Sequence, residues 1–515
     1  MAEPIDFQAK QSRTALGSGR MLWVACALLA VQALPYFQHR WVEDESWYSM
    51  PAATLLRTGE LRNPAMPATD YESRVDTRPP LMPLSLAAAF RLFGFSVAAA
   101  RFGEFLAALL TLFVVYAIGR ELGDPLAGTI AGLLVASDNF LVLAARTARP
   151  EAWVTLCASC GLLLILRSHD TQSWKIAFAA GLAVAAASLF HALGLAWFLG
   201  LGLLLVYQER GNIFRSRRGY AYVAAFAIAI LPLAIWLFGS PEHVEAARHM
   251  YGRSAGGTLA EVLAKEKLRI LDFLGVSNQR LHLPSPLPLR LHIALAIAAA
   301  FAVLLRRKPR IFWPLAIAAA TYLIWLLRMP NPSSRYYAIL APVFGLAMGF
   351  AVTALAGTRW HRAAMAVCAL CIVSQVAGMA LVLNQARKAD YVAVTAKLRA
   401  AIPAGHSCYG AMTFQFALFD RECHSYDRTP FSYTAQVQRP EYMILGDRVM
   451  MHGSGHGDDD FAEERQQAFA FVARMGHLSA RIDDPFYGDL RVYRITYDQP
   501  NQTPSPQISW PNGRP

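Results

Sequence analysis

Charge and cysteine are both scarce in this chain, and each shortage excludes something different. Charged residues make up 16% of 515 positions, apolar residues reach 55%, and mean hydropathy is +0.30. That leaves too few charges to cover a soluble enzyme of this size, so an ordinary globular protein is excluded. Only seven cysteines are present, too few for a disulfide framework. Five of them (Cys26, Cys157, Cys160, Cys368 and Cys371) lie inside apolar runs, where the two Cys-x-x-Cys pairs read as small packing residues. A small-residue cleavage site is also missing after residues 21–38, which therefore read as an uncleaved first span.

What the chain does have is apolar runs, recurring almost to position 384, each near the roughly 20 residues needed to cross the hydrocarbon as a helix. Eleven spans are expected, over residues 20–38, 99–120, 125–142, 151–167, 174–190, 192–208, 219–239, 290–305, 311–327, 336–356 and 362–383. The fold class is mainly α, a polytopic transmembrane helical bundle. The net charge of +12 does not point to nucleic acid, because the basic residues cluster between apolar runs. The positive-inside rule explains them. A cytoplasmic N-terminus places Arg210, Arg215, Arg217, Arg218, then Arg306, Arg307, Lys308, Arg310, and finally Arg359 and Arg362 on the cytoplasmic side.

That orientation requires residues 81–94, LMPLSLAAAFRLFG, to be a short re-entrant or interfacial helix and not a span, since counting them would reverse everything after. Three segments then face away from the cytoplasm: a first loop (39–98), a second long loop (240–289) and the tail from 385. Residues 1–384 form the membrane domain. The tail is polar, with alternating runs at 441–446 (EYMILG) and 490–495 (LRVYRI) and helix-like stretches at 390–401 and 461–475. It reads as a small extracytoplasmic α/β domain over 385–497, followed by a disordered segment, 498–515. Cys408 and Cys423 lie in this domain, where an oxidising compartment would allow a disulfide.

Four charged stretches fall on the outer face. In WVEDESWY (41–48), Glu43, Asp44 and Glu45 must sit at the aqueous boundary, because one Asp at the bilayer centre costs about 2.5 to 3.5 kcal/mol. The plain explanation is an acidic helix start, capped by Asp44 or Ser46, with Trp47 and Tyr48 in an interfacial belt. In ARTARPEAW (144–152), Pro150 and Glu151 suit a helix N-terminus. Arg146 and Arg149 are unfavourable there. DTRPPLMP (76–83) and RMPNPSSRYY (328–337) carry Arg78, Arg328 and Arg335 around prolines, as rigid connectors or as arginines snorkelling to headgroups. Together the four supply carboxylates for general-base work and guanidiniums for phosphate, a combination suited to transfer from a lipid-linked phosphate sugar.

VEDESWYSMPAATLLRTGEL resembles the first-loop signature of the GT-C membrane glycosyltransferases, in which Asp-Glu, two residues and Tyr precede an amphipathic helix. The stretch from TRPPLMPLSLAAAFRLFG to AARTARPEAW resembles that family's next segment, and MPNPSSRYY its late outer loop. The similarity runs to the dolichyl-phosphate-mannose-protein mannosyltransferases, the lipid A aminoarabinose transferases and the rhizobial galacturonosyltransferase-like relatives. It implies that Asp44 is the acid that deprotonates or orients the acceptor hydroxyl, with Glu45 and Tyr48 in neighbouring signature positions. Glu151 falls where relatives carry an aspartate, Arg78 where they place a basic residue before two prolines, and Arg335 and Tyr336 at the basic-aromatic pair near the polyprenyl phosphate. Two departures, Pro51 interrupting a helix and the extra acid Glu43, leave open which carboxylate is the base.

The expected reaction moves a sugar from a polyprenyl-phosphate donor to an acceptor hydroxyl of a glycolipid, glycan or protein, with inversion. Positive charge builds on the ring and negative charge on the departing phosphate, so a carboxylate and arginines (Arg78, Arg146, Arg149, Arg335) stabilise the two ends. No cofactor is required, although a divalent metal could replace part of the arginine charge. The expected setting is a bacterial inner membrane, with the active face and C-terminal domain periplasmic. The alternative is a transporter or flippase for an anionic lipid-linked sugar, which should show internal repeats and mid-membrane charges. Only Asp138 comes near that description. MHGSGHGDDD (451–460), with His452 and His456, reads as a solvated glycine-rich loop and not as a metal site, and His191, at the outer end of a span, either lines the cavity or, as is more usual for an isolated interfacial histidine, is structural.

Overall fold

The computed structural model describes residues 5–64, 76–252, 259–274, 290–327, 333–425, 431, 438–446 and 462–497. The chain divides into two compact units. One comprises Met1–Phe37 and Thr77–Gln385, the other Gln38–Asp76 and Ala386–Pro515. The first outer loop is thus split at residue 77, and residues 38–76, placed by sequence in the membrane domain, fold with the C-terminal part.

The first unit is helical. Among the described residues, seven helices are long and apolar enough to cross a membrane: Gly19–Tyr36, Val97–Glu121, Glu151–Thr171, Arg217–Phe238, Pro309–Leu326, Ser334–Ala354 and His361–Asn384. An eighth is the pair Pro125–Ser137 and Asn139–Ala145, bent by 67°. These seven or eight do not by themselves confirm the expected eleven. The spans drawn at 174–190, 192–208 and 290–305 are helices of 17, 15 and 17 residues. At 1.5 Å per residue those are about 22 to 26 Å long, short of the roughly 30 Å hydrocarbon core. Leu81–Phe93 is a helix of 13 residues, too short for a span.

Small residues set the helix spacing. A Cβ on Gly119 would collide with the Gly128 backbone, and one on Gly349 with the Ala127 carbonyl, so Pro125–Ser137 packs against both its neighbours backbone to backbone. The break at Asp138 is built by that residue. Its extended backbone ends one helix, and its carboxylate accepts from the Phe140 and Leu141 amides to start the next. Asp138 also takes a hydrogen bond from Arg290 Nη2 at 3.1 Å. The same nitrogen donates to Gln375, and the guanidinium lies over Phe140 and Phe273.

The second unit contains a five-stranded sheet: β1 (Ser407–Gly410), β2 (Glu422–Ser425), β3 (Tyr442–Gly446), β4 (Gly476–Asp484) and β5 (Gly488–Ile495), in the order β2-β1-β3-β5-β4. β1 is parallel to β2 and β3, and the remaining pairs are antiparallel. Cys408 and Cys423 are register partners on β1 and β2 and form a disulfide. The helix Ala462–Met475 closes one side through Ala468 and Val472, which pack on Tyr409, Met443, Leu445 and Ile495.

Candidate active site

The helix Glu43–Thr58 belongs to the second unit. It begins with a capping exchange: the Glu45 amide donates to the Val42 carbonyl, and Glu45 Oε2 accepts from the Val42 amide at 3.1 Å. Such a box satisfies amides that the first helical turn leaves without partners. Glu45 is completely buried in this role, and the N-cap is Val42 rather than the expected Asp44 or Ser46. Asp44 and Tyr48 are half-buried on the same first turns. Pro51 does not break the helix, which runs on to Thr58 and ends at Gly59 in the left-handed conformation. Proline in a helix interior costs about 3 kcal/mol. The packing of Met50 on Met412, with Trp47 and Phe419 against them, helps to offset it.

Residues just before this helix are pinned from several directions. The Arg40 amide donates to the Ala389 carbonyl, and its guanidinium lies over the Phe486 ring. Trp41 is buried, stacked on Phe416 with centroids 4.5 Å apart and on Tyr391 at 5.7 Å. Its indole donates to Ser46 Oγ at 2.6 Å, and Ser46 donates in turn to the Thr413 carbonyl. The Tyr487 hydroxyl accepts from the Trp41 amide at 2.9 Å and donates to the Trp41 carbonyl at 3.2 Å.

In the first unit, Glu151 opens the helix Glu151–Thr171 directly after Pro150. Arg149 Nη2 donates to Glu151 Oε1 at 2.8 Å and Arg149 Nε to both carboxylate oxygens, with both side chains buried. Arg149 at a helix N-terminus, which the macrodipole does not favour, is thus explained by its ion pair. Arg335 and His191 are electrostatic neighbours of Glu151. Arg335 Nε donates to Ser333 Oγ, the Tyr336 ring faces His191 at 6.0 Å, and the Tyr322 hydroxyl donates to the Tyr336 carbonyl. Four expected residues, Arg149, Glu151, Arg335 and Tyr336, therefore meet in one place, and His191, read as structural, lies with them.

Arg146 is held by an aromatic ring and a thioether. Its guanidinium lies 3.6 Å from the centre of the Tyr36 ring, and Nη1 approaches Met379 Sδ at 3.3 Å. Arg78 is buried at a bend directly before Pro79 and Pro80. Arg328 and residues 451–460 lie outside the described residues.

Sequence reasoning missed several buried charges. Arg101 and Glu104 on Val97–Glu121 are almost inaccessible, and Arg101 donates to the Tyr36 carbonyl. Arg269 pairs with Glu266 and donates to the Leu326 carbonyl. The only available signal was two charges three residues apart in a largely apolar stretch, as in ARFGEF (100–105). Among the described residues, no three His, Cys, Asp or Glu side chains converge to hold a metal ion.

The arrangement matches known proteins at the level of fold. This is a multi-pass membrane protein with an ArnT-like fold. Residues 77–236 match the family described as dolichyl-phosphate-mannose-protein mannosyltransferase. ArnT from Cupriavidus metallidurans, in a crystal structure bound to undecaprenyl phosphate, matches over 95% of this chain and 98% of its own, with TM-score 0.63 and 16% identity. The oligosaccharyltransferase of Archaeoglobus fulgidus tethered with an acceptor peptide matches over 93% and 74%, with TM-score 0.56 and 13% identity. In complex with zinc and sulfate, the Archaeoglobus enzyme matches over 83% and 68%, with TM-score 0.53 and 14% identity. No curated protein matches the sequence.

Proposed function

We propose that this protein transfers a sugar from a polyprenyl-phosphate donor to an acceptor hydroxyl at the periplasmic face of a bacterial inner membrane, with inversion at the anomeric carbon. The observation that carries the reading is the meeting of the buried Arg149, Glu151 and Tyr336 with the half-buried Arg335 in one cluster. Guanidiniums there suit the phosphate, whose negative charge grows as the glycosidic bond breaks. Glu151 keeps Arg149 oriented and partly neutralised until an anion arrives. Arg78 and Arg146 complete the basic complement, with Tyr48 as a further substrate contact. Asp44, at the start of its own helix, is the group proposed to take the acceptor's proton, while Glu45 acts as a cap.

The likeness to ArnT bound to undecaprenyl phosphate, and to the dolichyl-phosphate-mannose-protein mannosyltransferase family, supports a lipid-phosphate donor. In this reading arginines carry the phosphate charge and no metal is required, so turnover should survive EDTA. The acceptor is a glycolipid, glycan or protein. The test is to supply polyprenyl-phosphate sugars one at a time to the purified protein with bacterial envelope lipids, and follow the donor by mass spectrometry. Acceptor-dependent loss of one donor's sugar supports the reading. Movement of intact donor across a vesicle membrane, without cleavage, would instead favour a flippase.

A further inference from the structure

Asp44 sits on a helix whose start is fixed by one hydroxyl from the far end of the chain. Tyr487 lies at the tip of the β4–β5 hairpin, where the Asp484 carboxylate accepts from the Phe486 and Tyr487 amides at 2.8 Å each and Gly488 turns the chain with φ +79°. That turn holds the tyrosine backbone rigid, because Asp484 is itself buried. The Tyr487 ring is buried against Tyr391 and Phe414, which leaves the hydroxyl little freedom. The hydroxyl takes the Trp41 amide and gives to the Trp41 carbonyl, tying both backbone groups of one residue. From Trp41 the path continues through the indole to Ser46, one turn inside the helix, and on to the Thr413 carbonyl. Val42 and Glu45 close the cap between these two ties.

We infer that Tyr487 is a positioning residue for the reaction: with Trp41 and Ser46 it fixes the helix start, and so the direction in which Asp44 presents its carboxylate. The inference rests on the proposed role of Asp44. Its physical basis is that a general base works only within hydrogen-bond reach of the proton it removes, so a small tilt of the first turn lowers turnover without weakening donor binding. A C-terminal domain that merely bound the acceptor would have no need to grip residue 41. Here the hairpin acts on the backbone beside the acid.

The experiment uses the full-length protein in detergent or nanodiscs and a two-by-two set: wild type, Tyr487→Phe, Asp44→Asn and the double variant. Tyr487→Phe keeps the ring and removes one hydroxyl. It should lower kcat about 3- to 10-fold, the scale of one lost hydrogen bond, with donor KM and melting temperature unchanged. In the Asp44→Asn background the same change should have no further effect, because a residue acting through Asp44 is silent once its carboxylate is gone. Equal fractional losses in both backgrounds, a loss confined to KM, or no loss at all would overturn the inference. Full activity in Asp44→Asn alone overturns instead the role of Asp44. Should Tyr487→Phe fail to fold, Trp41→Phe, which retains an aromatic ring and loses the indole N–H, carries the same expectations.

Discussion

The Arg149–Glu151 cluster of the first unit and the start of the Asp44 helix in the second hold their polar groups by different means. In the helical unit, buried charge is met with charge: Arg149 with Glu151, Arg290 with Asp138, Arg269 with Glu266. In the sheet-containing unit, the helix that carries Asp44 is held by stacked rings and by neutral hydrogen bonds from Trp41, Ser46 and Tyr487. The difference fits the two tasks of the proposed reaction. A departing phosphate needs concentrated positive charge in a dry place, and that charge is tolerable before the ligand arrives only if it is paired. A base needs its direction set, and rigid aromatic packing does that without altering the local field.

Substitutions that break one half of this contrast should leave the other intact. Asp44→Asn should show the largest effect, a loss of kcat of about 100-fold or more, the range of general base catalysis, with donor binding preserved. Glu151→Gln leaves Arg149 buried and uncompensated, so it should destabilise the protein by about 3 to 5 kcal/mol, read as a lower thermal midpoint. Replacing both partners, Arg149→Met with Glu151→Leu, should restore most of that stability but not turnover. Arg335→Ala should raise donor KM and also lower kcat, for a fall in kcat/KM of about 10-fold or more, because the charge it faces grows in the transition state, while Arg335→Lys recovers part of the loss. Glu45→Gln should have the smallest effect: glutamine can still accept from the Val42 amide, so activity should stay within about twofold of wild type. A large loss from Glu45→Gln would make Glu45, and not Asp44, the working acid.

Much of this was legible in the chain because membrane insertion writes itself into composition. The apolar runs at 99–120, 151–167 and 362–383 are helices close to where they were drawn. The tail's alternating runs became β3 and β5, and its helix-like stretches became Tyr391–Ala401 and Ala462–Met475. β1 and β2, at four residues each, are too short to carry a period. The runs drawn at 174–190 and 192–208 are the helices Trp174–Phe190 and Gly194–Gln208, separated at His191. Nothing local told of the grip on Trp41, because its partner, Tyr487, is 446 positions away. Glu45 shows the same limit at close range. Its position in the signature suggested chemistry, and the structure adds a hydrogen bond from the Val42 amide that the sequence did not announce.

The most direct measurement is acceptor-dependent release of polyprenyl phosphate by wild type and Asp44→Asn side by side, with donor affinity determined for both. The account predicts release by the wild type, a fall of about 100-fold or more in the variant, and equal donor affinity in the two. Equal release by both proteins would contradict it, since the Asp44 carboxylate would then take no part in the transfer.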